Sequence, residues 1–220
     1  MKQISAVLDI LGYKAPKLIC YSYVLLDGDK MSTSAGTVVL VTDFMKAVRE
    51  TLIKEFDSRN SEISEEKLNT LVNACIKFTM LNVSKNKIVN FNLENATSFT
   101  GESGMYILYS LVRINSILKN NEIELVDEIR FNNEIENKII KELSLYHDVI
   151  DELLKSNEPS HLTKYIFNVA GLFSKLYELV NISNETDIVL KSSRIRLLNC
   201  ISKVITSALK VLGIETIEKL

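Results

Sequence analysis

Apolar residues recur at helical spacing along most of this chain. In the opening segment "QISAVLDILGY", Ile4, Val7 and Leu11 fall on one helical face, and Gly12 follows as a stop signal. Ser64 stands directly before a second amphipathic segment, in the position of a helix cap. These patterns predict a protein built mainly from amphipathic helices.

The later helices are marked by start and stop residues as well as by periodicity. Thr42 is placed to cap one helix, with Asp43 favourable in its first turn. Pro159 is placed at the first turn of another, and Gly213 follows the last one. The predicted helices after the opening one cover residues 42–56, 65–83, 102–119, 133–155, 160–180 and 192–213.

Two short runs near the start have the composition of strands instead. They are "KLICYSYVLL" (17–26) and "TVVLV" (37–41), and the polar connection 84–101 is expected to hold one further extended piece. One or two strands do not make a stable sheet alone. The predicted fold class is therefore mainly α: a fragment of an α/β sheet, followed by a bundle of about four helices over residues 102–220.

Composition excludes several kinds of protein. With 26 Lys and Arg against 28 Asp and Glu, the net charge of −2 gives no global attraction to nucleic acid, so any RNA contact must be local. Cys20, Cys75 and Cys200 lie far apart, which indicates neither a disulfide framework nor a metal site. No apolar run is long enough to span a membrane, and no secretory signal is evident, so a cytosolic protein is expected.

The loop between the two predicted strands carries candidate chemistry. In "DGDKMSTSAGTVVLVTDF", one cation, Lys30, stands beside the hydroxyls of Ser32, Thr33 and Ser34, and Gly36 permits a close turn. A cation among hydroxyls and backbone N–H groups suits phosphate binding. The alternatives are an ordinary surface turn and a phosphorylation site on Ser32 or Ser34.

Segments of the chain resemble, in order, the C-terminal portion of arginyl-tRNA synthetase, a class I aminoacyl-tRNA synthetase. "KQISAVLDILGY" resembles the helix before the last part of the catalytic domain, and the Lys30 loop resembles the KMSKS signature. "FTGESGMYILYSLVRINSIL" resembles the first helix of the anticodon-binding domain, and "LLNCISKVITSALKVLGIETIEKL" resembles the family's C-terminal end. The resemblance covers nearly the whole chain.

For the loop, the resemblance implies binding of ATP with Mg²⁺, and a catalytic role for Lys30. The ATP-binding residues that it implies are Lys30, Met31, Ser32, Thr33, Ser34 and Gly36. The sequence departs from the family pattern because Thr33 and Ser34 occupy the fourth and fifth signature positions, where a second basic residue is common.

The resemblance also implies a division of the chain. Residues 1–45 are expected to end a Rossmann-like catalytic domain, 46–101 to form connecting helices, and 102–220 to form an α-helical anticodon-binding domain of the DALR type. The implied partner is tRNA(Arg), and the whole enzyme would use arginine and ATP.

Within that domain, Tyr106 and Tyr109 share a helical face, with Arg113 one turn beyond Tyr109. Leu108 and Leu111 stand where many family members carry Gln and His. The candidate tRNA-binding residues are Tyr106, Tyr109, Arg113, Arg194, Arg196 and Lys203. The alternatives are that the tyrosines belong to the core and that the basic residues belong to a solvated face. Because Arg194 and Arg196 lie on different faces of their helix, one of them is expected to contact RNA and the other to be structural.

A class I active site also needs a His-x-Gly-His element. The two histidines, His147 and His161, lie in helical patterns without that motif, and we expect both to be ordinary helix residues. We therefore predict a piece of a longer enzyme that is inactive alone and binds no cofactor. The rival hypotheses are a stand-alone helical module that binds RNA or protein, and another class I synthetase such as the cysteine enzyme, which the tyrosine helix and the "LGI" ending match less well.

Overall fold

The computed structural model describes residues 2–16, 19, 21–26, 29–30, 40–59, 63–121, 123–124 and 126–218. In these ranges the chain is mainly α, as predicted from the periodicity. The elements are α1 (Lys2–Ile10), β1 (Val24–Leu26), β2 (Asp29–Lys30), α2 (Val41–Ser58), α3 (Glu65–Leu81), β3 (Val89–Phe91), α4 (Leu93–Thr97), α5 (Gly104–Asn120), α6 (Glu134–Ser144), α7 (Tyr146–Ser156), α8 (Ser160–Leu179) and α9 (Ile188–Val211).

Several helices begin where a side chain accepts a hydrogen bond from the first turn. Ser64 accepts from the Lys67 N–H, as predicted, and Ser103 does the same for α5. Asp187 accepts from two N–H groups of α9, which ends before Gly213 with a φ of +67°. Local sequence signals therefore fix these helix ends.

The predicted helix 133–155 is wrong as a single element. The chain turns at Leu145, so α6 and α7 are separate helices. After the turn, the Tyr146 ring lies 6.0 Å from the Tyr165 ring, and the Tyr146 hydroxyl is 2.8 Å from the Ser207 hydroxyl. The break lets α7 pack along α8, and the continuous apolar pattern does not show it because both halves are amphipathic.

The start of one predicted helix is shifted, and so is the position of a proline relative to another. Helix α2 already begins at Val41, so Thr42 lies inside it, and Leu40 occupies the cap position without a side-chain bond. Helix α8 begins at Ser160, as predicted, but Pro159 occupies its cap position and not its first helical position. Such shifts are the usual uncertainty in helix ends.

The strands form a small mixed sheet in the order β2-β1-β3. Strand β1 pairs antiparallel with β2 and parallel with β3, where Val24 lies opposite Val89. Of the predicted strand 37–41, Val41 is helical, Leu40 precedes the helix, and 37–39 lie outside the described residues. The parallel pairing with β3 was not predicted, because only the tertiary fold brings these segments together.

One hydrophobic core runs from α2 to α9. Helix α5 lies at its centre, against α3, α8 and α9. Leu108 and Leu111 are buried there, so the two positions where the sequence departs from the resembled family belong to the core. The segment 46–101 and the bundle thus share one interior.

The close contact between α5 and α3 depends on the absence of a Cβ at Gly104. A Cβ at this position would lie 2.6 Å from the backbone oxygen of Ala74 and 3.1 Å from the Cβ of Phe78. Because backbone cannot move aside cheaply, the two helices approach this closely only with glycine here.

We predict that Gly104→Ala lowers the free energy of unfolding by about 1–3 kcal/mol, the usual cost of overpacking. Urea unfolding at neutral pH measures it. Gly171→Ala in α8 is the matched control, because no atom lies within 4 Å of its added Cβ. The control should gain about 0.4–1 kcal/mol. Equal effects of the two substitutions would contradict the steric explanation.

Candidate nucleic-acid interface

An open groove with a volume of about 680 Å³ lies between α5 and the C-terminal end of α8. The residues that follow α8 form its outer wall, and we call residues 180–187 the groove loop. The groove mixes aromatic rings with amide, hydroxyl and guanidinium groups and one carboxylate, Glu178; those used below are Tyr109, Arg113, Tyr177, Asn181 and Ser183. This combination of groups suits a planar, polar ligand.

Arg113 is held between two tyrosine rings. Its Cζ lies 4.7 Å from the centre of the Tyr109 ring and 4.5 Å from that of Tyr177. Its Nη2 donates to the Tyr109 hydroxyl at 2.7 Å, and the Tyr109 ring packs edge-on against Phe99 at 5.7 Å. The cation and both rings are thereby ordered before any ligand arrives, which lowers the entropy cost of binding.

Tyr106 is used differently. Its hydroxyl is 2.9 Å from that of Ser174, and its ring lies 5.5 Å from the Phe167 ring, both on α8. Tyr106 packs against the core and is not among the residues that line the groove. This corresponds to the core interpretation, which the sequence left open.

Arg194, one of the candidate tRNA-binding residues, is buried in the structure. Its side chain is only 4% exposed, and its Nε donates to Glu136 at 2.6 Å. Its Nη1 donates to Glu185 at 2.5 Å, and its Nη2 donates to the Asn132 side chain at 2.8 Å. All three guanidinium nitrogens are therefore engaged inside the protein, and Arg194 is the structural member of the Arg194–Arg196 pair.

The other predicted basic residues of α9 do not converge on one site. Arg196 is half-buried and donates from Nη2 to the Val126 carbonyl at 2.8 Å. Lys203 is exposed, and Lys191 donates to the Ser183 carbonyl at 3.0 Å. The head of α9 therefore stabilises the loops around it, and the candidates Arg194, Arg196 and Lys203 do not form one exposed basic cluster.

The family of the chain follows from its sequence as well as from its fold. The family model described as the DALR anticodon binding domain matches residues 107–220. The chain belongs to the DALR anticodon-binding domain family. The matched residues begin in α5 and include every residue named above as lining the groove.

The DALR-family chain is also similar to longer proteins. It is 31% identical over 226 residues to an arginine–tRNA ligase of Clostridium beijerinckii, covering 100% of this chain and 40% of the ligase. It is 30% identical over 230 residues to arginine–tRNA ligase 1 of Bacillus cereus, covering 99% and 40%. The chain thus spans about 40% of the length of the curated relatives it matches.

Solved structures share the fold. The Thermus thermophilus arginyl-tRNA synthetase superposes with a TM-score of 0.87 at 21% identity, over 99% of this chain and 38% of that one. The Plasmodium falciparum enzyme gives a TM-score of 0.76 at 21% identity, over 99% and 39%. At this identity the likeness establishes the fold of the DALR-family chain alone.

Two carboxylates hold the groove loop of this DALR domain in place through hydrogen bonds and ion pairs. The backbone N–H of Asp187 and the guanidinium of Arg194 lower the pKa of Glu185. The backbone N–H of Leu190 and the guanidinium of Arg130 lower the pKa of Asp187. Both carboxylates are therefore charged at neutral pH, when the loop forms the wall of the groove.

Sequence reasoning missed Tyr177, Asn181 and Ser183. Tyr177 lies in a helical pattern that gives no hint of Arg113, 64 positions earlier in the numbering. The amide and the hydroxyl lie in a polar connection whose course follows from the packing of α8 and α9. Only the tertiary contact between α5 and α8 shows that these side chains share a groove.

The predicted ATP site lies mostly outside the described residues. Lys30 ends β2, where its backbone is described and its side chain is not, and residues 31–36 are not described. Within the described part of the chain, no His, Cys, Asp and Glu side chains form a group that could hold a metal ion. Among the helices described, none is long and apolar enough to cross a membrane.

We predict that Arg194→Met lowers the free energy of unfolding by about 3–5 kcal/mol, because it leaves the fully buried Glu136 carboxylate without its cation. Urea unfolding at pH 7 measures the loss. Lys203→Met, on an exposed position of the same helix, should change stability by no more than about 0.5 kcal/mol. A similar, small effect of both substitutions would refute the structural assignment of Arg194.

Proposed function

We propose that the groove between α5 and α8 binds unpaired bases of the anticodon loop of tRNA(Arg). The observation that carries this proposal is Arg113 ordered between Tyr109 and Tyr177, in a groove of a domain whose family is described as anticodon-binding. The names of the relatives, arginine–tRNA ligases, supply the identity of the tRNA.

The chemistry of the groove suits single-stranded RNA. Unpaired bases in a loop can turn outward and stack on aromatic rings, and the edges of the bases then hydrogen-bond to nearby polar groups. Tyr177 is 44% exposed and offers a ring for stacking, while Asn181 and Ser183 offer donors and acceptors beside it. The net charge of the chain, −2, gives no general attraction to RNA, so the positive charge of Arg113 has to act locally in the groove.

We predict that Tyr177→Ala weakens binding of tRNA(Arg) about 5- to 150-fold, the equivalent of ~1–3 kcal/mol for one stacked base. Titration of labelled tRNA(Arg) with the chain measures it, beside an anticodon-substituted tRNA. Tyr13→Ala is the matched control, since Tyr13 is 67% exposed and does not line the groove. Equal loss in both variants, or binding that ignores the anticodon, would count against this groove.

We propose further that the chain is the tRNA-binding part of an arginine–tRNA ligase, a cytoplasmic enzyme that uses ATP with Mg²⁺ and arginine. Residues 1–45 are then the end of the catalytic domain, 46–101 connecting helices, and 102–220 the anticodon-binding domain. Support comes from similarity over the whole chain to ligases named for this reaction. Because the chain spans 40% of that ligase, we expect it to be inactive alone.

In that enzyme, the arginine carboxylate would attack the α-phosphate of ATP, and pyrophosphate would leave. Negative charge grows on the departing phosphates, so a fixed cation beside them lowers the barrier. We assign that role to Lys30. The ATP-binding role extends to Met31, Ser32, Thr33, Ser34 and Gly36, whose hydroxyls, backbone N–H groups and small glycine suit a loop that closes on ATP and opens for release.

The catalytic proposal is testable in a chimaera in which this chain replaces the matching segment of the Clostridium beijerinckii ligase. We predict that the chimaera charges tRNA(Arg) and that Lys30→Ala lowers its kcat by about 10²–10³, as expected for loss of one charge-stabilising group. Lys14→Ala, on an exposed residue outside the loop, should have little effect. An active chimaera that tolerates Lys30→Ala would disprove the role of this lysine.

A further inference from the structure

We infer that Arg194 and Glu185 are positioning residues for RNA recognition: their ion pair holds the groove loop so that Asn181 and Ser183 face the bound base. This inference rests on the proposed function of the groove. It concerns a buried arginine and a partly buried glutamate, and neither is among the residues that line the groove. Arg194 would thus affect RNA recognition indirectly, through the position of the groove loop.

The groove loop is anchored at the last residue that lines the groove and at two positions beyond it. At Ser183, the hydroxyl accepts from the side-chain amide of Asn121, directly after α5, at 3.0 Å, and the carbonyl accepts from Lys191 at 3.0 Å. At Glu185, the carboxylate accepts from Arg194 at 2.5 Å. Asp187 then caps α9 and pairs with Arg130 at 2.5 Å.

The Glu185–Arg194 ion pair differs from the surface contacts because Arg194 is also bonded to the buried Glu136. Glu136, with 0% of its side chain exposed, accepts from Arg194 and from the N–H groups of Asn132 and Asn133, at 3.0 and 2.8 Å. Those contacts fix Arg194 from one side. Since the guanidinium is planar, its remaining donors point in set directions, and one of them sets the position of Glu185.

Two other contacts hold the middle of the loop, because Asn121 and Ile182 are 7% and 4% exposed, whereas the Arg130–Asp187 pair lies at the surface. Arg130 and Asp187 have 48% and 36% of their side chains exposed, and exposed ion pairs contribute little net stability. Lys191 reaches the loop through a flexible side chain. Loss of the Glu185 contact should therefore shift Asn181 and Ser183 and quicken their amide exchange without releasing the loop, while Ile182 stays in the core and the Arg194–Glu136 bond keeps the bundle folded.

The variants Glu185→Ala and Glu185→Gln test this inference in the full chain. The alanine removes the acceptor, whereas glutamine keeps an oxygen for Arg194 and loses only the charge. Glu134→Ala is the matched control, because Glu134 is an exposed carboxylate that pairs with Lys138 on the surface of α6. Each variant is titrated with tRNA(Arg) and with an anticodon-substituted tRNA, and its melting temperature and amide exchange at residues 181–183 are measured.

We expect Glu185→Ala to lower the preference for the matching anticodon about 2- to 30-fold, the range of coupling effects transmitted through a network. Amide exchange at 181–183 should quicken, glutamine should restore part of the preference, and Glu134→Ala should change neither. A purely structural role would lower the melting temperature and leave the anticodon preference intact.

The outcomes separate this inference from the function on which it rests. If the unmodified chain prefers the matching anticodon and Glu185→Ala keeps that preference, the positioning role is overturned and the anticodon proposal stands. Unchanged exchange at 181–183 would overturn it as well. If the unmodified chain shows no anticodon preference, both proposals fall.

Discussion

The burial of α5 is the constraint on which the other features depend. This helix lies against α3, α8 and α9, and it approaches α3 so closely that Gly104 leaves no room for a Cβ. Because the helix cannot rotate without exposing Leu108 and Leu111, Tyr109 and Arg113 are directed toward α8, where Tyr177 completes the groove. The core therefore sets the geometry of the surface that we propose binds RNA.

A second constraint is electrostatic. Burying Arg194 beside Glu136 costs desolvation free energy, and the pair is tolerated because nearly every polar atom of both side chains has a hydrogen-bond partner. Apolar residues of similar volume would fill the same space without fixing a direction. The ion pair instead joins the start of α6, the groove loop and α9 in a defined arrangement, which explains how a buried charge influences a polar groove.

The first part of the chain differs from the bundle in its surface. Ile10 and Tyr21 are 84% and 89% exposed, in contrast to the buried apolar residues of α5. Exposed apolar residues that lie side by side mark contact regions in proteins. In our proposal for the whole enzyme, this surface belongs to the catalytic domain, and the bundle needs no such contact to complete its own core.

The sequence by itself determined the helical class and most of the helices, because periodicity and caps are local, and it placed the candidates Tyr106, Tyr109 and Arg113 on one helix without separating core from groove. The sequence left open which of Arg194 and Arg196 is buried, since helical periodicity places them on different faces without showing which face meets the core. Tertiary structure decided that, and it also decided the break at Leu145 and the partnership of Arg113 with Tyr177. Each of these depends on contacts between helices distant in sequence, and no local pattern records which helix a given face will meet.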